Sequence, residues 1–430
     1  MTTDQGSSNQ NKIFNDSVHG HIEIHPLLVK IIDTPEFQRL RNIKQLGAGY
    51  FVFPGASHNR FEHSIGVAHL AGKLVQTLKD RQRHLNISEK DVLCVQIAGL
   101  CHDLGHGPFS HVFEVFMKEK GKKWKHEQQS VKMFEKLIQR PHVANELKKY
   151  SLLNQHILLI KEFIDTSREM SRQDISYLYE VVANERTGID VDKMDYLIRD
   201  CHHLGMKSDF SHERYMMFAK VVDVQTNGKQ ICMRDKEAMN MYELFHIRNR
   251  LHQSAYQHRV VKAIELMIVD VLLEADETLK ISAAVDNPKD YTNLTDEILH
   301  QIQCSNIEKA KNIIKRISEC DLYKFFGGKM FDPNDLKDVL DDSDKYKKRY
   351  QSKLTNWMEK VRRITGESFK PEEFKVVPVK FSYGKEMKNP IEFLNFYKKN
   401  NPNHAEPLSK NESCFSTREN PRNWPRRVKS

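Results

Sequence analysis

The chain is short of the residues that build disulfide scaffolds, collagen-like repeats and membrane spans. Its 430 residues include only seven cysteines, 18 glycines and 14 prolines. No Cys-x-x-Cys pair occurs, which argues against a disulfide framework or a zinc ribbon and favours a reducing compartment. Even the most apolar segment, 260–275, is interrupted by Lys262, Glu265, Asp270 and Glu274. It is therefore predicted to be an amphipathic core helix and not a membrane span.

Acidic residues are outnumbered by basic ones. Lysine and arginine total 67 against 58 aspartates and glutamates, for a net charge of +9. This balance favours an anionic partner, although a basic surface without a partner has the same composition. The basic runs 345–349 and 426–429 leave weak single-stranded nucleic-acid binding open. The polar start, 1–11, contains no hydrophobic region, so we expect no secretory leader and no membrane partner.

Hydrophobic spacing predicts a mainly helical core. Apolar residues recur at helical intervals over 60–80, over 191–201 and over 237–273, the last of which we expect to form one long helix. Another helix is predicted to stop at 105–108, because two glycines and a proline cannot continue it. The segment 220–234 is the exception, since it is predicted to form a pair of strands joined by a turn.

Histidine and aspartate are concentrated in the break at 101–111. The adjacent His102 and Asp103 stand at a helix end, where an imidazole and a carboxylate can bind one divalent ion. His63 lies beside the apolar stripe of an earlier helix, and Asp192 opens a later one. The four side chains form a set that can hold a metal and leave positions for water and a phosphate oxygen. Taken singly, His63 could be a core histidine and Asp192 a helix cap.

Further titratable and cationic side chains accompany these segments. His106, His111, Glu114 and His126 are candidate acids and bases near neutral pH. The groups that could hold a polyphosphate are Arg60, Lys193, Tyr196, Arg199 and Arg248. Each of the cations, taken by itself, is better explained as part of a solvated surface.

These residues give the chain a family resemblance. It resembles the HD-domain metal-dependent phosphohydrolases, and more closely the vertebrate SAM-and-HD-domain deoxynucleoside triphosphate triphosphohydrolases. The resemblance covers about 12–397 and rests on long motifs at 53–64, 102–111, 188–193 and 200–205. It implies a mainly α fold, built as an HD-domain helical core with a small β-containing C-terminal part.

The resemblance also implies how the chain is divided. We expect a disordered arm at 1–11, an HD phosphohydrolase core at 12–275 and a partial C-terminal α+β lobe at 276–399. The last segment, 400–430, diverges from the family, and we expect a disordered tail there.

Members of this family cut a dNTP at the α-phosphorus and release the deoxynucleoside and intact triphosphate. By position, the resemblance implies that the metal is held by His63, His102, Asp103 and Asp192. His126, paired with Glu114, would take the acid–base role. His106 and His111 would orient the phosphate and the leaving group. The implied metal is zinc, manganese or iron, with magnesium accompanying bound nucleotides.

The resemblance further implies a substrate pocket. Its residues would be Gln45, Leu46, Arg60, Lys193, Tyr196, Asp200, Arg248, Tyr256 and Gln257. Tyr196 and Tyr256 would pack against the sugar and leave no room for a 2′-hydroxyl, which favours deoxyribose. Few contacts would go to the base, so all four dNTPs are expected to be substrates.

Nucleotide activation is implied as well. The site for GTP or dGTP would be formed by Lys12, Ile13, Asp33, Gln38 and Arg41. A neighbouring site for a dNTP would be formed by Asn15, Val52, Arg214, Arg234, Lys236, Asn240, His258 and Arg259. Because the family shares these sites between subunits, activators would promote assembly of a tetramer.

Two other functions stay open. The chain could be an HD phosphohydrolase of another nucleotide, or an inactive or weakened paralogue that binds nucleic acid. The family is mainly nuclear, and we expect the same compartment. A cytoplasmic location is the alternative, because the sequence shows no N-terminal import signal.

Overall fold

Helices dominate the fold. The structure is a computed structural model, and it describes residues 11–224, 228–325, 327 and 389–408, with scattered residues between 355 and 377. Strands within these ranges are short, so the predicted mainly α fold class is confirmed. The arm expected at 1–11, apart from Asn11, and both basic runs lie outside the described residues.

The helices account for most of the described chain between residues 26 and 318. Their bounds are α1 Pro26–Ile32, α2 Pro35–Gln38, α3 Arg60–Arg81, α4 Glu89–Cys101, α5 His111–Glu119, α6 His126–Leu137, α7 Pro141–Lys149, α8 Asn154–Ile164, α9 Tyr179–Val182, α10 Val191–Leu204, α11 His212–Phe218, α12 Ala238–Leu251, α13 Arg259–Leu279, α14 Pro288–Thr292, α15 Ile298–Gln303 and α16 Glu308–Ser318. The helices predicted over 60–80 and 191–201 are thus present as α3 and α10.

The packing of α3 against α4 positions the first metal ligands. The apolar stripe of α3 is buried, as its helical spacing predicts. Gly99 of α4 permits a close approach, because a Cβ there would stand 3.3 Å from the Cα of Ala68. The first turn of α3, which carries His63, thereby lies beside the end of α4, which leads into His102. The two imidazole rings have centroids 5.2 Å apart.

The loop after α4 packs against the first turn of α6. A Cβ at Gly105 would lie 2.1 Å from the carbonyl oxygen of His126 and 2.2 Å from the amide nitrogen of Ser130, so only glycine fits. The Gly105 amide donates a 2.8 Å hydrogen bond to the Ser130 hydroxyl. This contact brings His126 next to the loop that follows His102 and Asp103.

The prediction of one long helix over 237–273 is wrong. Helix α12 ends at Leu251, a π-helical turn covers His252–Tyr256, and α13 begins at Arg259. His258 has extended backbone angles (φ −63°, ψ 132°), which interrupt the helix. The apolar period continues on both sides of this break, so periodicity alone gives no sign of it. Its position coincides with a tertiary contact, in which the Tyr256 hydroxyl donates to Asp200.

Two small sheets accompany the helices. Strands β1 Lys12–Asp16 and β2 Gly20–Ile24 form an antiparallel hairpin. A second sheet has the order β3-β4-β5-β6, with β3 Lys220–Val224, β4 Gly228–Arg234, β5 Phe396–Lys398 and β6 Asn401–Glu406. The pair β3–β4 confirms the hairpin predicted at 220–234, and β5 joins it in parallel.

The second sheet also corrects the expectation for the C-terminal tail. We expected disorder from residue 400, and this is wrong for 401–406, which form β6 paired with β5. Ala405 is buried opposite Tyr397, so pairing and burial order a segment whose composition resembles a loop. Residues 409–430 lie outside the described residues, and the division into domains stays a prediction.

Candidate metal centre and nucleotide pocket

The four predicted metal ligands converge. His63 Nε2 lies 3.1 Å from Asp192 Oδ1 and 3.5 Å from Asp103 Oδ2. His102 Nε2 lies 3.4 Å from Asp192 Oδ1 and 3.4 Å from Asp103 Oδ1. Two ligands that are each about 2.1 Å from one ion stand roughly 3.0–3.4 Å apart at tetrahedral or octahedral angles. His63, His102 and Asp192 therefore offer three ligand atoms within 4.8 Å of one another, close enough to share one coordination shell. Asp103 approaches the two histidines through different oxygens.

Both histidines are oriented to offer Nε2 as a ligand. His102 Nδ1 lies 2.8 Å from the carbonyl oxygen of Gly99, to which it must donate. His63 Nδ1 is held in the same way by Asp195 Oδ2, at 2.8 Å. His102 Nε2 is buried and has no hydrogen-bond partner within the described part of the chain. An aimed but unpartnered imidazole nitrogen of this kind fits a divalent cation.

Charge in this cluster also suits a cation. Burial by itself would raise the pKa of Asp192, but His102 and His63 outweigh it and hold that pKa below its usual value. Burial likewise opposes protonation of His63, yet Asp192 and Asp195 raise its pKa to about 10. Protons thus compete for the same ligand atoms, and metal binding is expected to displace them. The Asp192 side chain, 28% exposed, marks the side of the cluster that is open.

Asp195 supports the centre from behind, and sequence reasoning missed it. Its carboxylate accepts from His63 and also lies 2.7 Å from His19 Nε2. Arg199 donates to the same carboxylate at 2.8 Å and to Asp16 at 2.9 Å. The expectation that Arg199 could hold a polyphosphate is therefore wrong, because its guanidinium is fully buried in these two ion pairs. The sequence offered one sign of this ion pair, because Asp195 and Arg199 are four residues apart on a predicted helix and can therefore lie on the same face.

We expect Asp195→Asn to weaken metal binding without removing a ligand. Neutral asparagine would no longer stabilise the His63 imidazole in the orientation that presents Nε2. Loss of such a supporting carboxylate lowers metal affinity by about 10–100-fold. Titration of the metal-stripped protein with Mn²⁺ measures the change, and the exposed Asp174→Asn serves as control. Equal affinities in the two variants would contradict the supporting role.

The four predicted acid–base residues form a second cluster beside the first. Ligand atoms of Asp103, His106 and His126 all lie within 4.8 Å of one another. The His106 and His126 rings stack with centroids 4.0 Å apart. His126 Nδ1 lies 2.7 Å from Glu114 Oε1, and His111 Nδ1 lies 3.3 Å from the same oxygen. Asp103 thus links this cluster to the metal centre.

The two stacked histidines of the acid–base cluster, His106 and His126, have pKa values shifted in opposite directions. Burial would raise the pKa of Glu114, but hydrogen bonds from His111 and His126 hold it below its usual value. Burial would lower the pKa of His126, but its hydrogen bond to Glu114 raises it. Burial and the nearby cations Arg60 and His126 keep the pKa of His106 well below its usual value. These shifts favour the protonated form of His126 and the neutral form of His106.

Cationic side chains surround the two clusters. Arg60 is buried, donates to Asp103, and reaches the Ser110 hydroxyl at 2.8 Å. Lys193 Nζ lies 2.8 Å from Asp190 Oδ2. Burial raises the pKa of Tyr196, and the nearby Lys193 and Arg248 oppose that rise. Each predicted phosphate-binding group is thus held by protein contacts at the edge of the site.

On another side of the site, Asp200 of α10 binds one side chain from the π-helical turn and one from the segment that precedes α3. The Tyr256 hydroxyl donates to Asp200, and His58 Nε2 lies 2.7 Å from its other oxygen. Gln45 and Gln257 each carry a buried side-chain oxygen without a hydrogen-bond partner in the described ranges. The sequence-based set omitted His58, although it lies inside the motif 53–64. Leu46 stands at the start of a 3₁₀ turn directly after Gln45.

The residues predicted for the GTP site lie on separate elements. Lys12 and Ile13 are exposed on β1, whereas Asp33 ends α1. Gln38 accepts a 2.8 Å hydrogen bond from Arg41, so these two side chains form one unit. Their role in binding a nucleotide stays a prediction.

The residues predicted for the dNTP activator site form two groups. Near the start of α12, Asn240 bonds the backbone of Ser211. Three cations lie in the same region, namely Arg214 paired with Glu237, Arg234 paired with Asp235, and Lys236 stacked 3.9 Å from the Phe218 ring. The other members are Asn15 on β1, Val52, His258 and Arg259, with the His258 ring 5.5 Å from that of Phe53. Their function also stays a prediction.

Comparison with known proteins places the chain in a family. Residues 60–200 match the HD domain. The chain is 46% identical to the human deoxynucleoside triphosphate triphosphohydrolase SAMHD1, over 93% of the chain and 67% of that protein. The chain belongs to this family. The Gallus gallus relative of the same name is also 46% identical, covering 93% of the chain and 68% of that protein. A Dictyostelium discoideum SAMHD1 homolog is 39% identical, covering 96% and 76%.

Membership in this family agrees with the geometry of the site. His63, His102, Asp103 and Asp192 all fall inside the segment that matches the HD domain. The match and the converging ligands together indicate a centre for a divalent metal. Within the described residues, no helix has the length and apolar character needed to cross a bilayer.

Proposed function

We propose that this chain is a metal-dependent hydrolase that converts deoxynucleoside triphosphates to deoxynucleoside and inorganic triphosphate. One observation carries the proposal, namely the close approach of His63 and His102 to Asp103 and Asp192, with nitrogen–oxygen distances of 3.1–3.5 Å, beside the His126–Glu114 pair. The similarity to enzymes named deoxynucleoside triphosphate triphosphohydrolase supports the choice of substrate.

The acid–base cluster supplies the proton for the leaving group. A divalent cation held by the four ligands would polarise the α-phosphate and lower the pKa of an attacking water. Glu114 holds His126 protonated through its 2.7 Å hydrogen bond, so His126 can donate a proton to the departing 5′-oxygen. His106, stacked on His126, fixes the plane of that ring. His111 shares Glu114 and lies toward solvent, where it can orient the phosphate.

The polyphosphate and the sugar would be bound on different sides. Arg60, Lys193 and Arg248 are placed to neutralise the phosphate charge. Asp200 can accept from the sugar 3′-hydroxyl. Tyr196 and Tyr256 would close the space beside the 2′-carbon, and a ribose hydroxyl buried there without a partner costs about 1–3 kcal/mol. The pocket would therefore favour deoxyribose and accept all four bases.

Identification of the reaction products tests this function. Purified protein is incubated with Mn²⁺ and dGTP, with and without GTP, and the products are separated by ion-exchange chromatography. Deoxyguanosine with inorganic triphosphate is expected. Release of monophosphate, pyrophosphate or single phosphate would instead favour an HD phosphohydrolase of another class. The basic runs that kept nucleic-acid binding open lie outside the described residues, so no structural observation favours that function.

We further propose that nucleotides activate the protein by promoting its assembly. GTP or dGTP would bind the set around Asp33, a dNTP would bind the set around Asn240, and both would promote a homotetramer. The resident cation would be zinc, manganese or iron, with magnesium on the nucleotides. The proposed compartment is the nucleus.

We expect Asp33→Ala to abolish GTP-promoted self-association. The Asp33 carboxylate can accept from the N1–H and N2–H edge of guanine, an edge that alanine cannot bind. Analytical ultracentrifugation with and without GTP measures the shift in mass. The exposed Asp80→Ala, which removes the same charge elsewhere, should assemble like the wild type. Assembly of Asp33→Ala to the wild-type extent would count against the proposed guanine site.

A further inference from the structure

The loop that closes the acid–base cluster has an unfavourable backbone conformation. Phe109 and Ser110 follow one another with φ of 57° and 58°, a region that residues with a Cβ rarely occupy. The Ser110 hydroxyl connects the proposed phosphate side of the site to the proposed sugar side. It accepts a hydrogen bond from Arg60 at 2.8 Å and donates one to the carbonyl oxygen of Lys44 at 2.7 Å. His111 follows directly and begins α5. Such a conformation persists only when surrounding contacts hold it.

One carboxylate, Asp296, holds this loop and a second one. Its Oδ1 accepts from the amide of Phe109 at 2.6 Å, and its Oδ2 accepts from the amide of Lys44 at 2.8 Å. Lys44 immediately precedes Gln45 and Leu46, which belong to the proposed sugar side of the pocket. A Cβ at Gly47 would stand 2.5 Å from the Phe109 carbonyl oxygen, so the two loops are also in tight contact.

Neighbours of Asp296 hold the preceding part of the same loop. The Tyr291 hydroxyl donates to the carbonyl oxygen of Gly105 at 2.7 Å. Arg39 donates to the carbonyl oxygens of Leu104 and His106, both at 3.0 Å, and to that of Leu294 at 2.6 Å. Tyr291 and Asp296 thus bond the backbone of the loop 104–110 directly, and Arg39 connects the same loop to Leu294. Loss of surrounding water raises the pKa of Asp296 to about 6, although the amides of Phe109 and Lys44 oppose the shift.

We infer that Asp296 is a positioning residue for hydrolysis, which joins the Phe109–His111 loop to the Lys44–Leu46 loop and keeps both in register with the metal centre. This inference rests on the proposed function. Among the described residues, the Asp296 carboxylate accepts hydrogen bonds from the amides of Phe109 and Lys44 and not from the metal ligands or the proposed acid–base residues. It acts through Ser110 and Arg60 on the phosphate side, and through Lys44 on the sugar side. An element far along the chain, between α14 and α15, therefore determines the geometry of a pocket built mainly by α3 to α6 and α10.

The test is the isosteric variant Asp296→Asn. Asparagine keeps the volume but has one acceptor oxygen, so its NH₂ must face either the Phe109 or the Lys44 amide as a second donor. Misplacement of reacting groups by about 1 Å can lower rates by about 100-fold. We expect kcat/KM for dGTP to fall by about that factor, chiefly through kcat. Hydrogen exchange in the peptides spanning 43–47 and 105–112 should become faster.

Asp276→Asn is a matched control. Asp276 is buried and, like Asp296, accepts hydrogen bonds through both oxygens, here from Ser282 N at 2.6 Å and Ser282 Oγ at 2.8 Å, and it also pairs with Lys120 at 2.8 Å. It bonds no residue of the proposed site in the described structure. Its variant should be destabilised by a comparable amount, as measured by thermal unfolding, yet retain wild-type kcat/KM and slow exchange in both peptides.

The outcomes are distinguishable. Slower hydrolysis together with faster exchange in Asp296→Asn alone supports the inference. Wild-type kinetics per folded molecule, or unchanged exchange in both peptides, would overturn it. If the wild-type protein releases no triphosphate from any dNTP, the proposed function fails. Hydrogen exchange then still decides whether Asp296 positions the two loops.

Discussion

The double substitution His102→Ala and Asp103→Ala is expected to abolish triphosphate release. It removes an aimed imidazole nitrogen and a carboxylate that lie 3.4 Å apart at the centre of the ligand cluster. A divalent cation contributes several kcal/mol to stabilisation of the transition state, so its loss should lower kcat by more than about 1,000-fold. Inorganic triphosphate measured by ion-exchange chromatography, and bound metal measured by mass spectrometry, should fall together.

The fold should survive this substitution. His102 and Asp103 follow the end of α4, and the buried stripes of α3 and α4 lie outside the changed positions. Removing Asp103 also leaves the buried Arg60 without a carboxylate, so some loss of stability is expected. Far-ultraviolet circular dichroism should nevertheless retain the helical spectrum. Normal turnover by a folded double variant would refute the proposed metal centre.

Replacing His126 with asparagine should produce the second-largest loss. His126 is the proposed proton donor, and Glu114 raises its pKa through their hydrogen bond. General acid–base catalysis contributes about 100–10,000-fold, and kcat should fall by a factor in that range. Because the interaction matters chiefly in the transition state, kcat and kcat/KM should fall together. Steady-state kinetics with dGTP measures both constants.

Metal content separates the effect of His126 from that of the ligands. His126→Asn should bind as much metal as the wild type, since the four ligands that converge are unchanged. The exposed His142→Asn in α7 removes a histidine away from the site and should leave both constants unaltered. An increase in KM at constant kcat for His126→Asn would argue for a binding role and against proton donation.

Several helices and the candidate ligands could be predicted from short segments of sequence, because helix formation and helix ends depend on residues only a few positions apart. The helical period over 60–80 predicted α3 and the burial of its stripe, since one face of a helix must pack. The break at 105–108 predicted the end of α4, because its glycines and proline cannot continue a helix. His102 and Asp103 were predicted from their adjacency at a helix end. His63 was added from its place beside an apolar stripe and Asp192 from its place at a helix start, and the family resemblance then assigned a metal to all four. The structure brings His63, His102 and Asp192 together, with Asp103 beside both histidines, and their binding of a metal stays a prediction.

Other parts depended on contacts between distant segments. Nothing local to 237–273 marks the interruption at His252–Tyr256, since the apolar period runs through it. Residues 401–406 have the composition of a loop and form a strand because a partner strand lies beside them. Arg199 resembles a phosphate ligand in sequence, and only its burial between Asp195 and Asp16 shows that its charge is already neutralised.

By itself, the amino-acid sequence determined the mainly α class, the ends of several helices and the four candidate ligands. These follow from residue type and spacing, which act over one or two helical turns. The tertiary structure alone decided which groups support them: Asp195 behind His63, His58 on Asp200, and Asp296 between two loops. The physical reason is that a hydrogen bond depends on distance in space. Asp296 and Phe109 are 187 residues apart in the chain, and only folding brings them within 2.6 Å.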